Sequence, residues 1–363
     1  PFYRVVSSIA LEGESFEGEW RAVEGSRYFQ SPVLYKENGF KKKEDAQKLI
    51  CELSTQQPLI CTVEKIERKK ENKNPPLLFN LAELQNVCSK LFKISPDETL
   101  SIVQDLYEKK LVTYPRTDAR VLSTAVAKEI YKNISGLRNY PQAGEAAQGA
   151  LELGAYKNIA KTRYTNDKQI TDHYAIIPTG QGLGALKGLS LTAQRVYETI
   201  VRRFLSIFYP PAVYQKVSLV TKMENESFFS SFKVLLSEGY LKIAANSFAK
   251  KSMAEASGKT PESEGEGEVS CDEALLAALQ KLKKGDILNI NGLGIKEGET
   301  SPPKRYNSGS MILAMENAGQ LIEDEDLRSQ IKGSGIGTSA TRAEILKKLF
   351  NIRYLSLNKK TQV

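Results

Sequence analysis

Apolar and polar residues alternate with a period of two on either side of a long stretch in which the apolar positions recur every three to four residues. Residues 2–10 (Phe-Tyr-Arg-Val-Val-Ser-Ser-Ile-Ala) predict a strand. Residues 42–54 predict a helix burying Ala46, Leu49, Ile50 and Leu53, and residues 59–67 a return to strand. The polar run Arg68-Lys69-Lys70-Glu71-Asn72-Lys73-Asn74-Pro75-Pro76 reads as a hinge or boundary, since nothing in it is apolar until two prolines end it. From Leu81 to about Tyr209 helices take over. Residues 80–92 and 96–110 are amphipathic, the second opened by Ser95-Pro96-Asp97-Glu98: a serine N-cap, a proline at the first helical position and early acids. A further amphipathic helix over 192–208 ends at Pro210-Pro211. Residues 212–248 read as strands again, 251–272 as a polar loop, 287–291 as a strand, and the chain from Asn307 onward as helical. The fold class that follows is mixed α and β and multidomain: a β-rich domain interrupted by a helical one, with more helix at the end.

Composition narrows the function classes. A chain of 363 residues is long enough for two or three cores. No apolar run nears the ~20 residues a membrane-spanning helix needs, and no signal peptide opens it. Pro1 sits in what reads as mid-strand and Val363 follows a helical pattern, so the expectation is a fragment of a longer protein. The net charge of +8 favours a polyanionic partner without requiring one. Cys51, Cys61, Cys88 and Cys271 have no C-x-x-C spacing and read as reduced, mostly buried thiols of an intracellular protein. With His173 the only histidine, a zinc site is not expected. The acidic run Glu323-Asp324-Glu325-Asp326 reads as a solvated turn rather than a metal site.

The densest chemistry lies in residues 111–120, Leu-Val-Thr-Tyr-Pro-Arg-Thr-Asp-Ala-Arg. A phenol is a poor nucleophile at neutral pH, its ordinary pKa being about 10. A guanidinium two residues away, Arg116, would stabilise phenolate character at Tyr114 and neutralise charge on a phosphate under attack. Pro115 pushes Tyr114 towards extended geometry, on a stiff turn rather than inside a helix. The bland alternatives are a packing tyrosine and a surface Arg116–Asp118 pair worth about 0–1 kcal/mol.

That string resembles the active-site stretch of type IA DNA topoisomerases, most closely the bacterial topoisomerase III branch. Further blocks follow the family order: Asn80-Leu81-Ala82-Glu83-Leu84-Gln85 before the tyrosine, then Asp172-His173-Tyr174-Ala175-Ile176-Ile177-Pro178-Thr179, Pro302-Pro303-Lys304-Arg305-Tyr306 and Gly335-Ile336-Gly337-Thr338-Ser339-Ala340-Thr341-Arg342. The resemblance implies a toroidal architecture. It places a β-rich arch at 1–78 and 210–295, a helical gate domain carrying the tyrosine at 79–209, and part of a helical base with a single-strand groove at 296–363.

It also implies roles. Tyr114 would be the nucleophile, forming a 5′-phosphotyrosine bond, with Arg116 and His173 at the scissile phosphate. The family has a second histidine where Tyr174 stands here. Thr113, Thr117 and Asp118 would support the site: the two threonines by bonding phosphate oxygens or by supporting the turn, Asp118 by orienting Arg116 or a neighbouring base. Arg120, Arg305, Tyr306, Thr338 and Thr341 would contact DNA. Mg²⁺ belongs to an N-terminal metal-binding (Toprim) domain outside this sequence, so no metal ligand is expected here. The implied partner is single-stranded or negatively supercoiled DNA, handled by a monomer in the nucleoid region of the cytoplasm, with no membrane association. Cleavage, strand passage and resealing would need no ATP, although the isolated chain is expected to cleave poorly. The competing readings are a catalytically silent single-strand clamp and another tyrosine-based strand transferase. A relaxase needs a histidine cluster for its metal, and a tyrosine recombinase carries its tyrosine near the C-terminus; neither pattern fits.

Overall fold

The computed structural model describes residues 1–249, 271–323, 325, 327, 328 and 335–363. Strands are β1 (Phe2–Leu11), β2 (Glu14–Arg21), β3 (Leu34–Lys36), β4 (Gly39–Phe40), β5 (Ile60–Lys73), β6 (Ala212–Met223), β7 (Glu226–Ser237) and β8 (Ile287–Gly298). Helices are α1 (Lys43–Leu53), α2 (Leu81–Phe92), α3 (Pro96–Glu108), α4 (Thr124–Glu129), α5 (Tyr131–Gly136), α6 (Gly144–Leu153), α7 (Leu191–Ser206), α8 (Leu241–Ala244), α9 (Glu273–Lys281), α10 (Ser308–Glu316) and α11 (Arg342–Asn351). The chain divides into two compact units: Pro1–Lys73 with Ala212–Glu238 and Lys251–Pro303, and Asn74–Pro211 with Gly239–Lys250 and Lys304–Val363.

The first unit is a closed antiparallel ring. Strands run in the order β2-β7-β6-β5-β8-β1, and β1 pairs back onto β2, so no edge remains in the ring; β4 and β3 extend it beside β1. Alternate residues point inward, giving a core of Val5, Ile9, Phe16, Trp20, Val63, Val217, Leu219 and Phe228 among others. At Gly18 a Cβ would meet Ser7 Oγ at 2.8 Å and Phe228 Cβ at 3.0 Å, so a glycine lets β1, β2 and β7 converge. α1 buries Ala46, Leu49, Ile50 and Leu53, the face its periodicity predicts.

Two sequence expectations change here. The polar run 68–76, read as a hinge or boundary, begins as strand: β5 continues to Lys73, paired with β6 as far as Lys73↔Ala212, and the division between the two units falls directly after it, at Asn74. Backbone pairing sustains this segment while most of its polar side chains face solvent, so its composition resembles a linker. The strand reading of 212–248 fails after Ser237. Gly239 takes φ +50°, Tyr240 N–H bonds Pro210 O, and the short α8 follows. The loop read at 251–272 lies outside the described residues as far as Ser270, as do Asp324 and Asp326 of the acidic run.

The second unit is helical. α2, α3 and α7 bury Leu84, Cys88, Val103, Leu106, Val196, Ile200 and Phe204 in one core. The start signals hold in detail. Asn80 caps α2 by accepting from Glu83 N–H, and Ser95 and Glu98 form a reciprocal capping box on α3. α10 lies close on α2: a Cβ at Gly309 would meet Asn86 Cα at 2.7 Å, and the Ser89 and Ser308 hydroxyls are 3.0 Å apart. Of the cysteines, Cys61 and Cys88 are buried, Cys271 is half-buried and Cys51 is exposed. Burial pushes the Cys88 thiol up to about 12 and Cys61 to about 11, leaving both unreactive at neutral pH.

Candidate active site

α3 stops at Glu108, and Lys110 turns the chain through φ +61°. The segment that follows lies along residues 173–179 in an irregular ladder. Thr113 N–H bonds Ile177 O at 3.0 Å, Val112 bridges Pro178, and Phe79 bridges Ile176. Two sequence blocks far apart in the chain thus form the two sides of one small structure. It is braced at its far end by the close approach of Gly136 and Gly180, where a Cβ on Gly136 would strike Gly180 O at 2.3 Å.

Tyr114 is half-buried between two rings. His173 lies 4.3 Å away between centroids, tilted by 44°, and Tyr107 makes an edge contact at 5.4 Å. Among the described residues the Tyr114 hydroxyl has no hydrogen-bond partner. Pro115 is buried and Arg116 is exposed, making no ion pair among the described residues. An exposed guanidinium two residues from the phenol, with no ion pair among the described residues, is suited to an incoming anion. Asp172 and His173 are exposed, and Tyr174 is half-buried, with burial raising its phenol pKa.

Thr113 and Thr117 build the loop. Thr113 Oγ1 donates to Ala175 O and accepts from Ile177 N–H, both at 3.0 Å. Thr117 Oγ1 donates to His173 O at 2.8 Å and accepts from Ala119 N–H at 3.1 Å. Asp118, expected to orient Arg116 or a neighbouring base, accepts at Oδ1 from Arg342 Nη1 at 3.0 Å, while Arg116 is exposed and makes no ion pair among the described residues. Arg120 is half-buried, its Nη2 3.6 Å from Glu83, which also faces Arg203 at 3.7 Å.

Thr338 and Thr341 are exposed in the loop before α11, where Thr338 N–H bonds Thr341 Oγ1 at 2.9 Å and Gly337 takes φ +68°. Arg342 links this loop to the tyrosine loop. Arg305 and Tyr306 lie exposed in the segment before α10 and make no hydrogen bond to the tyrosine loop among the described residues.

Sequence reasoning assigned no role to Asn80, Glu316 or Arg342. Asn80 and Arg342 stood in the motif blocks, one as the first residue and one as the last; Glu316 carried no signal. Burial, with Asp118 adding to it, raises the Glu316 carboxyl pKa, against Arg342, Asn80 and Arg120, which lower it. Its protonated form is therefore favoured by folding. That contribution is complete below the ordinary carboxylate pKa and lost as pH rises through the raised one. Glu316→Gln should melt above the parent at pH 7, with the gap closing as pH falls towards 4. A variant that melts lower at pH 7 would contradict this.

A DNA topoisomerase family model matches residues 1–363. The chain belongs to the DNA topoisomerase family. It is 36% identical over 280 residues to the DNA topoisomerase 3 of Bacillus licheniformis, covering 76% of this chain and 35% of that protein. The Bacillus subtilis DNA topoisomerase 3 is 33% identical over 308 residues, covering 84% and 39%. This topoisomerase-family chain thus spans well under half the length of those curated relatives. Its fold resembles full-length topoisomerase I of Thermotoga maritima, with a TM-score of 0.60 at 20% identity, over 98% of this chain and 48% of that one. No described helix is long and apolar enough to cross a membrane.

Proposed function

We propose that the chain carries the strand-cleaving tyrosine of a bacterial type IA topoisomerase of the topoisomerase III kind. The observation that carries this reading is the Tyr114–His173 pair at 4.3 Å, with Arg116 two residues on from Tyr114 exposed and making no ion pair among the described residues. In this reading Tyr114 Oη forms a bond to a backbone phosphorus of single-stranded DNA. The phenol proton leaves for a base or water, and the bond from phosphorus to the 3′ oxygen breaks. That oxygen takes up a proton and departs as a 3′-hydroxyl, leaving a 5′-phosphotyrosine. One phosphoester replaces another, so the reverse attack reseals the strand without ATP. Arg116 neutralises the phosphate as charge builds on its oxygens, and His173 positions the phenol and the phosphate. The exposed Thr338–Thr341 loop, Arg305 and Tyr306 would contact the strand. The intact protein would pass a second strand through the break, relaxing negative supercoils or unlinking strands.

Mg²⁺ is assigned by the family resemblance to a metal-binding domain rather than to the residues of this chain; among the described residues no three His, Cys, Asp or Glu side chains come together. No step above runs through it.

Arg116→Ala is the test. Adduct formation should slow by about 10²–10³-fold, the scale of losing one transition-state donor. Arg116→Lys should recover only part of the rate, since it keeps charge but not the fork. An unchanged adduct rate in Arg116→Ala would remove Arg116 from the chemistry. Binding of single strands without any adduct, in a protein supplied with a family metal-binding domain, would favour a silent clamp.

A further inference from the structure

Arg342 is 5% exposed, although a buried guanidinium is costly unless every side of it is engaged. Nη1 donates to Asp118 Oδ1 at 3.0 Å, Nε to Ile336 O at 3.2 Å and Nη2 to Gly337 O at 3.3 Å. One planar side chain therefore joins the tyrosine loop to the loop of Thr338. Asp118 is also held by its backbone: Asn80, 1% exposed, donates from Nδ2 to Asp118 O at 3.2 Å and to Glu316 Oε1 at 2.6 Å. Next to Asp118, Thr117 O accepts from Leu81 N–H at 3.1 Å, and the Thr117 hydroxyl holds His173 O. His173 is the ring against Tyr114. The contacts run without a gap from Arg342 through Asp118 and Thr117 to the Tyr114–His173 pair.

The Asp118 side chain is 53% exposed, so its pair with Arg342 adds little stability. Fixing the loop is the better account of burying a guanidinium there. We propose that Arg342 is a positioning residue for Tyr114, acting through Asp118, with Asn80 and Glu316 as a second tie on the same turn. The proposal rests on the reading of Tyr114 as nucleophile and names the residues that set its register.

Because His173 is the only histidine, histidine-selective carbon-13 labelling gives one imidazole signal. Its shift relative to Tyr114→Leu reports the ring pair directly, whether or not the protein cleaves DNA. Arg342→Gln and Asp118→Asn should each lose most of that Tyr114-dependent shift, and Arg342→Lys should recover part of it. Should Arg342→Gln fail to fold, Asp118→Asn decides, since the Asp118 side chain is half-exposed. An unchanged His173 signal in folded Asp118→Asn overturns the proposal. In the cleavage assay, Asp118→Asn should slow adduct formation about ten- to a hundredfold at unchanged oligonucleotide affinity, the scale of a misplacement near 1 Å. Weaker affinity at an unchanged rate also overturns it. A His173 shift that responds as stated in a protein whose parent forms no adduct would instead overturn the nucleophile reading.

Discussion

Tyr114→Phe is expected to lose the covalent protein–DNA adduct altogether, a loss on the order of 10⁶-fold where the nucleophile of a covalent enzyme is deleted. The substitution removes one oxygen and nothing else that the structure uses. The Tyr114 hydroxyl has no hydrogen-bond partner among the described residues, so no buried donor or acceptor is stranded. The phenyl ring still packs between Tyr107 and His173. Stability should therefore stay within about 0.5 kcal/mol of the parent, and single-strand affinity should hold, since Arg116 and the Thr338 loop are untouched. Gel-resolved adduct, thermal melting and oligonucleotide binding, measured on the same preparation, separate these three quantities. Adduct persisting in Tyr114→Phe would move the nucleophile to another of the chain's 16 tyrosines.

The second large effect lies in the β ring. Glu226, fully buried at the start of β7, accepts from Trp20 Nε1 at 2.6 Å, Ser26 Oγ at 2.7 Å and Arg27 N–H at 3.0 Å. These donors come from β2 and the turn after it, so one carboxylate ties β7 to that turn while satisfying the only tryptophan. Glu226→Ala strands the buried indole and hydroxyl together and opens a void beside Trp20. The expected cost is on the order of 3–5 kcal/mol in chemical or thermal unfolding. Glu226→Gln, which keeps the shape and two acceptor lone pairs, should cost clearly less. Equal losses in the two variants would mean that the site is held by packing alone.

Local signals in the sequence carried the helices well. Ser95-Pro96-Asp97-Glu98 announced a helix start, and the capping box is there. The face of α1 is the one its spacing predicted. The β ring was much harder to see. β2 reads Glu-Ser-Phe-Glu-Gly-Glu-Trp-Arg and hides two buried aromatic residues among acids that face outward. The ring closes through pairs such as Glu19↔Phe229, for which no local pattern exists. The polar second half of β5 looks like a linker because its strand pairing with β6, and contacts such as Arg68 to Leu279 O and Glu71 to Lys216, are made with residues far away in the chain.

At the site, the motif blocks singled out Tyr114, Arg116 and His173, but spacing along the chain misled at Asp118. Arg116 is its neighbour in sequence; Arg342 is its partner in space. Sequence proximity favours the first, and only the folded position of Arg342 reveals the second. Thr113 and Thr117 show the reverse. Both hydroxyls are committed to backbone groups, which residue type alone leaves open.

The most direct measurement is peptide mapping of a quenched cleavage reaction. The chain is incubated with Mg²⁺ and a 3′-labelled single-stranded oligonucleotide, alone and with the N-terminal metal-binding domain of a relative supplied, then stopped with SDS, digested and read by mass spectrometry. The account predicts a nucleotide-bearing peptide containing Leu111–Arg120, modified at Tyr114 through a 5′ phosphate and absent in Tyr114→Phe. Modification at any other residue would contradict it. So would the absence of any adduct while both pieces are folded and the oligonucleotide is bound.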